Sequence, residues 1–187
     1  MKYRFRALLV AMLSSLVIAS ASAEAPFAEL ATVEHVDLQK YMGHWEEFAR
    51  FPNKFQEKCV GESSTDYFLN PDSSVRVTNR CRLANGELDE IEGKARRIGA
   101  EGSAKLEVRF APAWLSFIPA VWGKYWIIDI DPDYQMVAVG EPKREYLWIL
   151  TRGQPVSTAT YMALLSRLVE KGYDTKQLVF SNPPSRK

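Results

Sequence analysis

Short runs of alternating apolar and polar residues follow one another along most of this chain, with turn residues between them. Val75, Val77, Asn79 and Cys81 alternate with Arg76, Thr78, Arg80 and Arg82, a period of two that predicts a half-buried strand. Leu106, Val108 and Phe110 alternate with Lys105, Glu107 and Arg109 in the same way. Strand-like runs also cover 45–51, the stretch before the turn cluster Asn70-Pro71-Asp72-Ser73-Ser74, 87–98 after the turn Ala84-Asn85-Gly86, and 125–130, 135–139 and 146–151. Eight such runs at even spacing predict an all-β sandwich or barrel. One helix follows, with Ser157 as N-cap, an apolar stripe of Tyr161, Leu164, Leu165 and Leu168, and Gly172 as its stop. Leu178-Val179-Phe180 reads as a short final strand.

The first residues have a different pattern. Lys2, Arg4 and Arg6 precede an apolar run from Ala7 to Ala19, and Ala19-Ser20-Ala21-Ser22-Ala23 offers A-x-A cleavage sites. That layout predicts a secretory signal peptide over 1–23, since the run is too short to span a bilayer comfortably. No cysteine lies at the junction, so attachment through a lipidated N-terminal cysteine is not expected, and export to the periplasm is. The remaining residues, 24–187, suit a single domain. With a formal net charge of +1 and no dominant basic cluster, nucleic acid is not an expected partner. Cys59 and Cys81 are the two cysteines, and in an exported chain they read as a disulfide. A turn centred near Asp72 leaves them a few residues out of direct register, an offset that a bulge absorbs.

The segment Gly43-His44-Trp45-Glu46-Glu47-Phe48-Ala49-Arg50-Phe51-Pro52 carries Gly-x-Trp at the start of the first strand. Asp131-Pro132-Asp133-Tyr134 forms a later turn, and Tyr146-Leu147-Trp148-Ile149-Leu150-Thr151-Arg152 ends in arginine. Ile91-Glu92-Gly93-Lys94-Ala95 lies between them. In order and spacing these motifs resemble the lipocalin signature, in the form seen in bacterial lipocalins and apolipoprotein D, over about 36–180. The resemblance implies an eight-stranded antiparallel up-and-down β-barrel with one C-terminal helix. It also implies structural roles for Gly43, Trp45, Asp133, Tyr134 and Arg152, with the arginine packed across the indole. Strand one then pairs with strand eight, and a meeting of Trp45 with Arg152 puts Glu47 opposite Leu150, Ala49 opposite Trp148 and Phe51 opposite Tyr146. By period-two parity Glu46 faces out and Glu47 faces in, where an unpaired carboxylate is costly and a partner is required.

The resemblance further implies binding of a small hydrophobic molecule, and the five Trp, eight Tyr and nine Phe supply walls for it. The expected wall residues are Glu47, Ala49, Phe51, Val77, Val108, Phe110, Trp126, Ile128 and Trp148. Between strands five and six, 111–122 carries Trp114, Phe117 and Trp122 at the open mouth, as a lid or as a contact with a membrane or a partner. Lys54, Lys58, Lys143 and Arg144 fall at the same end, and a basic, apolar mouth suits a fatty acid or lysophospholipid. Catalysis is the principal rival. However, Gly61-Glu62-Ser63-Ser64 lacks the last glycine of a nucleophile elbow, and the two histidines, His35 and His44, are not expected inside the barrel. Neither a cofactor nor a metal site is expected. A carrier or store in the envelope, monomer or homodimer, is the reading, with an envelope partner module as a further alternative.

Overall fold

The computed structural model describes residues 28–153 and 155–181, so the leader read over 1–23 lies outside the described residues. A short helix α1 (Leu38–Tyr41) precedes eight strands: β1 (Gly43–Arg50), β2 (Cys59–Leu69), β3 (Val75–Leu83), β4 (Leu88–Arg97), β5 (Lys105–Arg109), β6 (Gly123–Ile130), β7 (Met136–Gly140) and β8 (Leu147–Thr151). Helix α2 (Thr158–Glu170) and a two-residue strand β9 (Val179–Phe180) follow. Each strand pairs antiparallel with the next, and β1 pairs with both β2 and β8, which closes the sheet into a barrel. Strand β9 lies on β1 at Ala49 and Arg50.

Closure is fixed at one end by Arg152. Its guanidinium stacks 3.9 Å from the centre of the fully buried Trp45 ring. The same group donates to the carbonyls of Lys40, Met42 and His44 at 2.8, 2.9 and 2.8 Å, and to that of Tyr41 at 3.2 Å. The Lys40, Tyr41 and Met42 carbonyls are at the C-terminus of α1, where orphan acceptors and the helix dipole favour a cation, and that of His44 is in β1. Gly43, at φ +95°, makes room for the contact: a Cβ there would lie 3.2 Å from Arg152 Nη1. In the β6–β7 turn, Asp131 rather than Asp133 holds the backbone, accepting from the N–H groups of Asp133, Gln135 and Met136. Tyr134, at φ +57°, turns its hydroxyl to accept from the Asp37 N–H at 2.9 Å.

Two apolar clusters result. One fills the closed half of the barrel around Trp45, Tyr41, Tyr67, Val77, Leu106 and Ile127. The other lies outside the sheet, where Leu164 and Leu168 of α2 cover Ala49, Ile128, Ala138, Leu147 and Ile149. Ser157 caps α2 by accepting from Thr160 N–H at 3.1 Å, and Gly172 at φ +87° ends it.

The anticipated β1–β8 register holds at Glu47 opposite Leu150 and then slips by one, placing Ala49 against Ile149 and Arg50 against Trp148. A bulge at Phe48 causes the slip. Phe48 packs on Tyr161 and Phe180 at 5.3 and 5.4 Å, so Phe48 and Ala49 both face outward toward the helix side. The Cys59–Cys81 disulfide is present, and bulges in β2 between Cys59 and Ser64 absorb its offset.

Trp45→Ala is expected to cost about 3–5 kcal/mol by the cavity and the stranded guanidinium it leaves. Arg152→Lys is expected to cost about 2 kcal/mol, because a point charge cannot both stack and reach four carbonyls. Urea unfolding followed by far-ultraviolet circular dichroism reads both, and a Lys variant as stable as the native chain would refute the capping role.

Candidate ligand-binding site

Above the closed half, the barrel holds a cavity of about 310 Å³, within the size range of small-molecule sites. Its floor and walls are Tyr67, Val77, Val108, Phe110, Tyr125 and Leu150. Gly93 on β4 lets the Phe110 ring approach the strand closely, since a Cβ there would fall 2.7 Å from the ring. Three tyrosine hydroxyls meet beneath: Tyr125 lies 2.6 Å from Tyr41 and 2.7 Å from Tyr67. Burial pushes all three above the ordinary tyrosine value, so they stay protonated and satisfy one another in a dry place. Thr65 and Asn79 add polar groups on the β2–β3 wall.

Toward the mouth the wall is built on Glu47, 5% exposed. Its carboxylate accepts from Gln56 Nε2 at 2.6 Å and from the Ser181 hydroxyl, with Arg50 Nε 3.2 Å away. Gln56 in turn accepts from Trp148 Nε1 at 2.9 Å and from Asn53 Nδ2 at 2.9 Å. Trp148 stacks on Tyr146 with centroids 5.8 Å apart, and Phe55 packs on Tyr146 at 5.6 Å. Glu47 therefore has the partners its inward position demands. Burial nonetheless raises its carboxyl above the ordinary value, outweighing the hydrogen bonds and the nearby guanidinium.

Of the nine wall residues read from the sequence, Glu47, Val77, Val108, Phe110 and Trp148 line this cavity. Ala49, Phe51, Trp126 and Ile128 do not: they belong to the cluster beneath α2 or pack against it. For Ala49 and Phe51 the bulge at Phe48 reverses parity. In β6, Tyr125 and Ile127 point in, and a second bulge at Ile128 lets Asp129 follow it outward to pair with Arg167 at 2.7 Å. Gln56, Thr65, Tyr67 and Tyr125 were not anticipated in the wall. The alternation in β2 that puts Ser63, Thr65 and Tyr67 inside runs against hydropathy, with Phe68 left outside beneath Arg76.

At the mouth, 111–122 folds into two 3-10 turns, Ala113–Leu115 and Pro119–Val121. Trp114 and Phe117 are 73% and 78% exposed. Trp122 is placed differently from the expected mouth contact. It lies against the outer wall with its ring centre 4.0 Å from Arg96 and 5.4 Å from Arg109, and donates to Ser116 O at 2.8 Å. The basic mouth is also weaker than expected: Lys58 pairs with Asp89 at 2.7 Å, and Arg144 donates to the carbonyls of Lys171 and Ala28.

A closed eight-stranded barrel with an arginine-capped tryptophan and one covering helix has close relatives. A family model described as a lipocalin-like domain matches residues 36–183. The chain is a lipocalin. It is 41% identical over 152 residues to temperature-induced lipocalin-1 of Arabidopsis thaliana, covering 80% of this chain and 81% of that one. It is 29% identical over 182 residues to the outer membrane lipoprotein Blc of Escherichia coli K12, covering 97% and 98%. Among solved structures, insecticyanin from the tobacco hornworm Manduca sexta superposes with a TM-score of 0.65 at 15% identity, covering 84% and 86%, and shares the fold. Lipocalins bind small hydrophobic ligands, and the cavity in this lipocalin has the walls for one.

Glu47 also sets a pH dependence. The folded chain holds the Glu47 proton more tightly than the unfolded chain does, so this group favours the fold fully below the ordinary value of 4.5. That contribution is lost as pH rises through the raised native value. Glu47→Gln is expected to flatten the decline, gaining stability relative to the native chain between pH 4.5 and neutrality. Thermal melts across that range check it, and parallel profiles for the two chains would contradict the assignment.

Proposed function

We propose that this lipocalin is exported and binds, stores or carries single-chain lipids, fatty acids or lysophospholipids, in the cell envelope, where it supports membrane maintenance. The observation that carries the reading is the cavity itself, apolar along Val77, Val108, Phe110 and Leu150 and open at the end where the loops converge. Export rests on the leader pattern of 1–23 and fits the Cys59–Cys81 disulfide, which belongs to oxidising compartments. The related Escherichia coli protein is named as an outer membrane lipoprotein, and a periplasmic site at the inner surface of that membrane suits this chain. Trp114 and Phe117 supply a peripheral contact with such a surface, exposed apolar rings on an ordered loop.

Binding is favoured over catalysis by the chemistry around the cavity. Both cysteines are joined in the disulfide, His44 is on the outer face 2.9 Å from Asp66, and His35 packs against Gly102. Neither a thiolate nor an imidazole is therefore offered to a bound molecule.

Mass spectrometry of a native extract is expected to release a stoichiometric fatty acid or lysophospholipid. Val108→Phe, which narrows the cavity, is expected to weaken binding by about tenfold, as filling a packed site forces strain. An empty native protein whose tryptophan emission ignores added lipid would overturn the carrier role. For the membrane contact, Trp114→Ser with Phe117→Ser is expected to abolish cosedimentation with phospholipid vesicles, while Trp122→Ser, a ring held on the barrel wall, acts only through the loop's order. Unchanged cosedimentation of the double variant would rule out this contact.

A further inference from the structure

Polar groups in the cavity are unevenly distributed. Among the described residues that line it, the one cationic side chain is Arg80, and its guanidinium is committed to Asp66 and to Glu90 at 2.6 Å on the outer face. Arg50, 3.2 Å from Glu47, is not among the lining residues, whereas Glu47 is. Asp89 at the rim is matched by Lys58. Among the described residues that line this space, a carboxylate finds no uncommitted cation, Lys54 with its Nζ 5.7 Å from the Phe55 ring centre not being one of them, and it meets the charge of Glu47 in a medium of low dielectric.

An ammonium group meets the reverse. Glu47 is held by two neutral donors, the Gln56 amide and the Ser181 hydroxyl, as well as by Arg50. Within the same wall are the Trp148 indole and the Phe55 ring, joined through Tyr146 into a run of three aromatic rings. Gln56 fixes the geometry, because one amide donates to Glu47 and accepts from Trp148. A carboxylate beside aromatic faces is the chemistry that recognises quaternary and primary ammonium groups. The acyl chain of such a ligand then runs inward along Val77, Val108 and Phe110 toward the tyrosine floor.

The geometry points to a head-group site formed by Glu47, Gln56, Trp148 and Phe55 that selects single-chain amphiphiles bearing an ammonium group over free fatty acids. This rests on the carrier reading above and narrows it: of the two lipid classes proposed there, lysophospholipids with an ammonium head fit, and free carboxylates fit poorly. An ammonium beside Glu47 favours the ionised carboxylate and so opposes the effect of burial.

Calorimetric titration of the full mature chain with dodecyl amphiphiles below their micelle concentrations separates the cases. Dodecyltrimethylammonium is expected to bind about tenfold more tightly than dodecanoate, and lauroyl lysophosphatidylcholine about tenfold more tightly than lauroyl lysophosphatidic acid. Glu47→Gln is expected to bring both ratios to roughly one, and Phe55→Leu, at an exposed ring with no role in the core, to lower them several-fold. Anionic ligands binding as tightly as their ammonium counterparts would overturn the proposal, and so would ratios unmoved by both variants. Should Glu47→Gln fail to fold, the native ranking and Phe55→Leu decide it. Dodecanol, which carries no charge, distinguishes the two levels. If it binds and dodecanoate outranks the ammonium, only the head-group site fails; if no amphiphile binds, dodecanol included, the carrier reading falls with it.

Discussion

Everything in this barrel hangs on how its first strand is shared between two neighbours. Strand β1 must close the sheet at one end and leave room for a cavity at the other. The Trp45–Arg152 contact resolves that conflict at the closed end. One guanidinium covers an indole, caps the last carbonyls of α1 and ties the residue after β8 to the residues before β1. A planar cation with several donors is suited to this task, since stacking and hydrogen bonding use different directions of the same group. With the closed end fixed, the remaining strands need only follow their hairpins.

Two cores are the price of a one-layer barrel with a helix on its side. The inner cluster ends at the tyrosine floor, and the outer one lies between the sheet and α2. Strands β6, β7 and β8 lie between them and are apolar on both faces, so their sequence carries no alternation to say which side is which. The bulges at Phe48 and Ile128 belong to the same arrangement, each turning a consecutive pair of residues outward where the helix packs.

That explains what could be read in advance. The strand count and the helix with its cap and stop follow from local pattern and turn chemistry, the disulfide from two cysteines in a chain read as exported, and the pairing of Glu47 with Leu150 from the meeting of Trp45 with Arg152 that the family resemblance implies; the structure has them all. The family was legible because its motifs are contiguous stretches of sequence, and three of their residues, Gly43, Trp45 and Arg152, meet at the closed end. The cavity was legible at Val77, Val108 and Phe110, where the opposite face is polar, and at Glu47 and Trp148 through the pairing of the first and eighth strands that the resemblance implies. Trp126 and Ile128 were assigned inward because both faces of β6 are equally apolar, and only the position of α2 decides between them. Gln56 gave no local signal, because its role comes from joining a loop to a strand 92 residues away. The pinning of Trp122 was hidden too: nothing in 111–122 announces that two arginines from β4 and β5 will enclose its ring.

The rim of the barrel is asymmetric in how it is fastened. On one side, Cys59–Cys81 staples β2 to β3 covalently. On the other, β1 leaves β2 after Glu46, and beyond that point β1 has β9 as its ladder partner instead. The Glu47 side chain bridges to Gln56 and Ser181 there, where the ladder between β1 and β2 has ended. A fastening made of side chains yields by rotamer changes, whereas a covalent staple does not yield at all. A cargo too bulky for the resting lumen would thus widen the barrel along this one seam, and the largest molecule admitted is set by the elasticity of a few polar contacts rather than by the girth of the sheet.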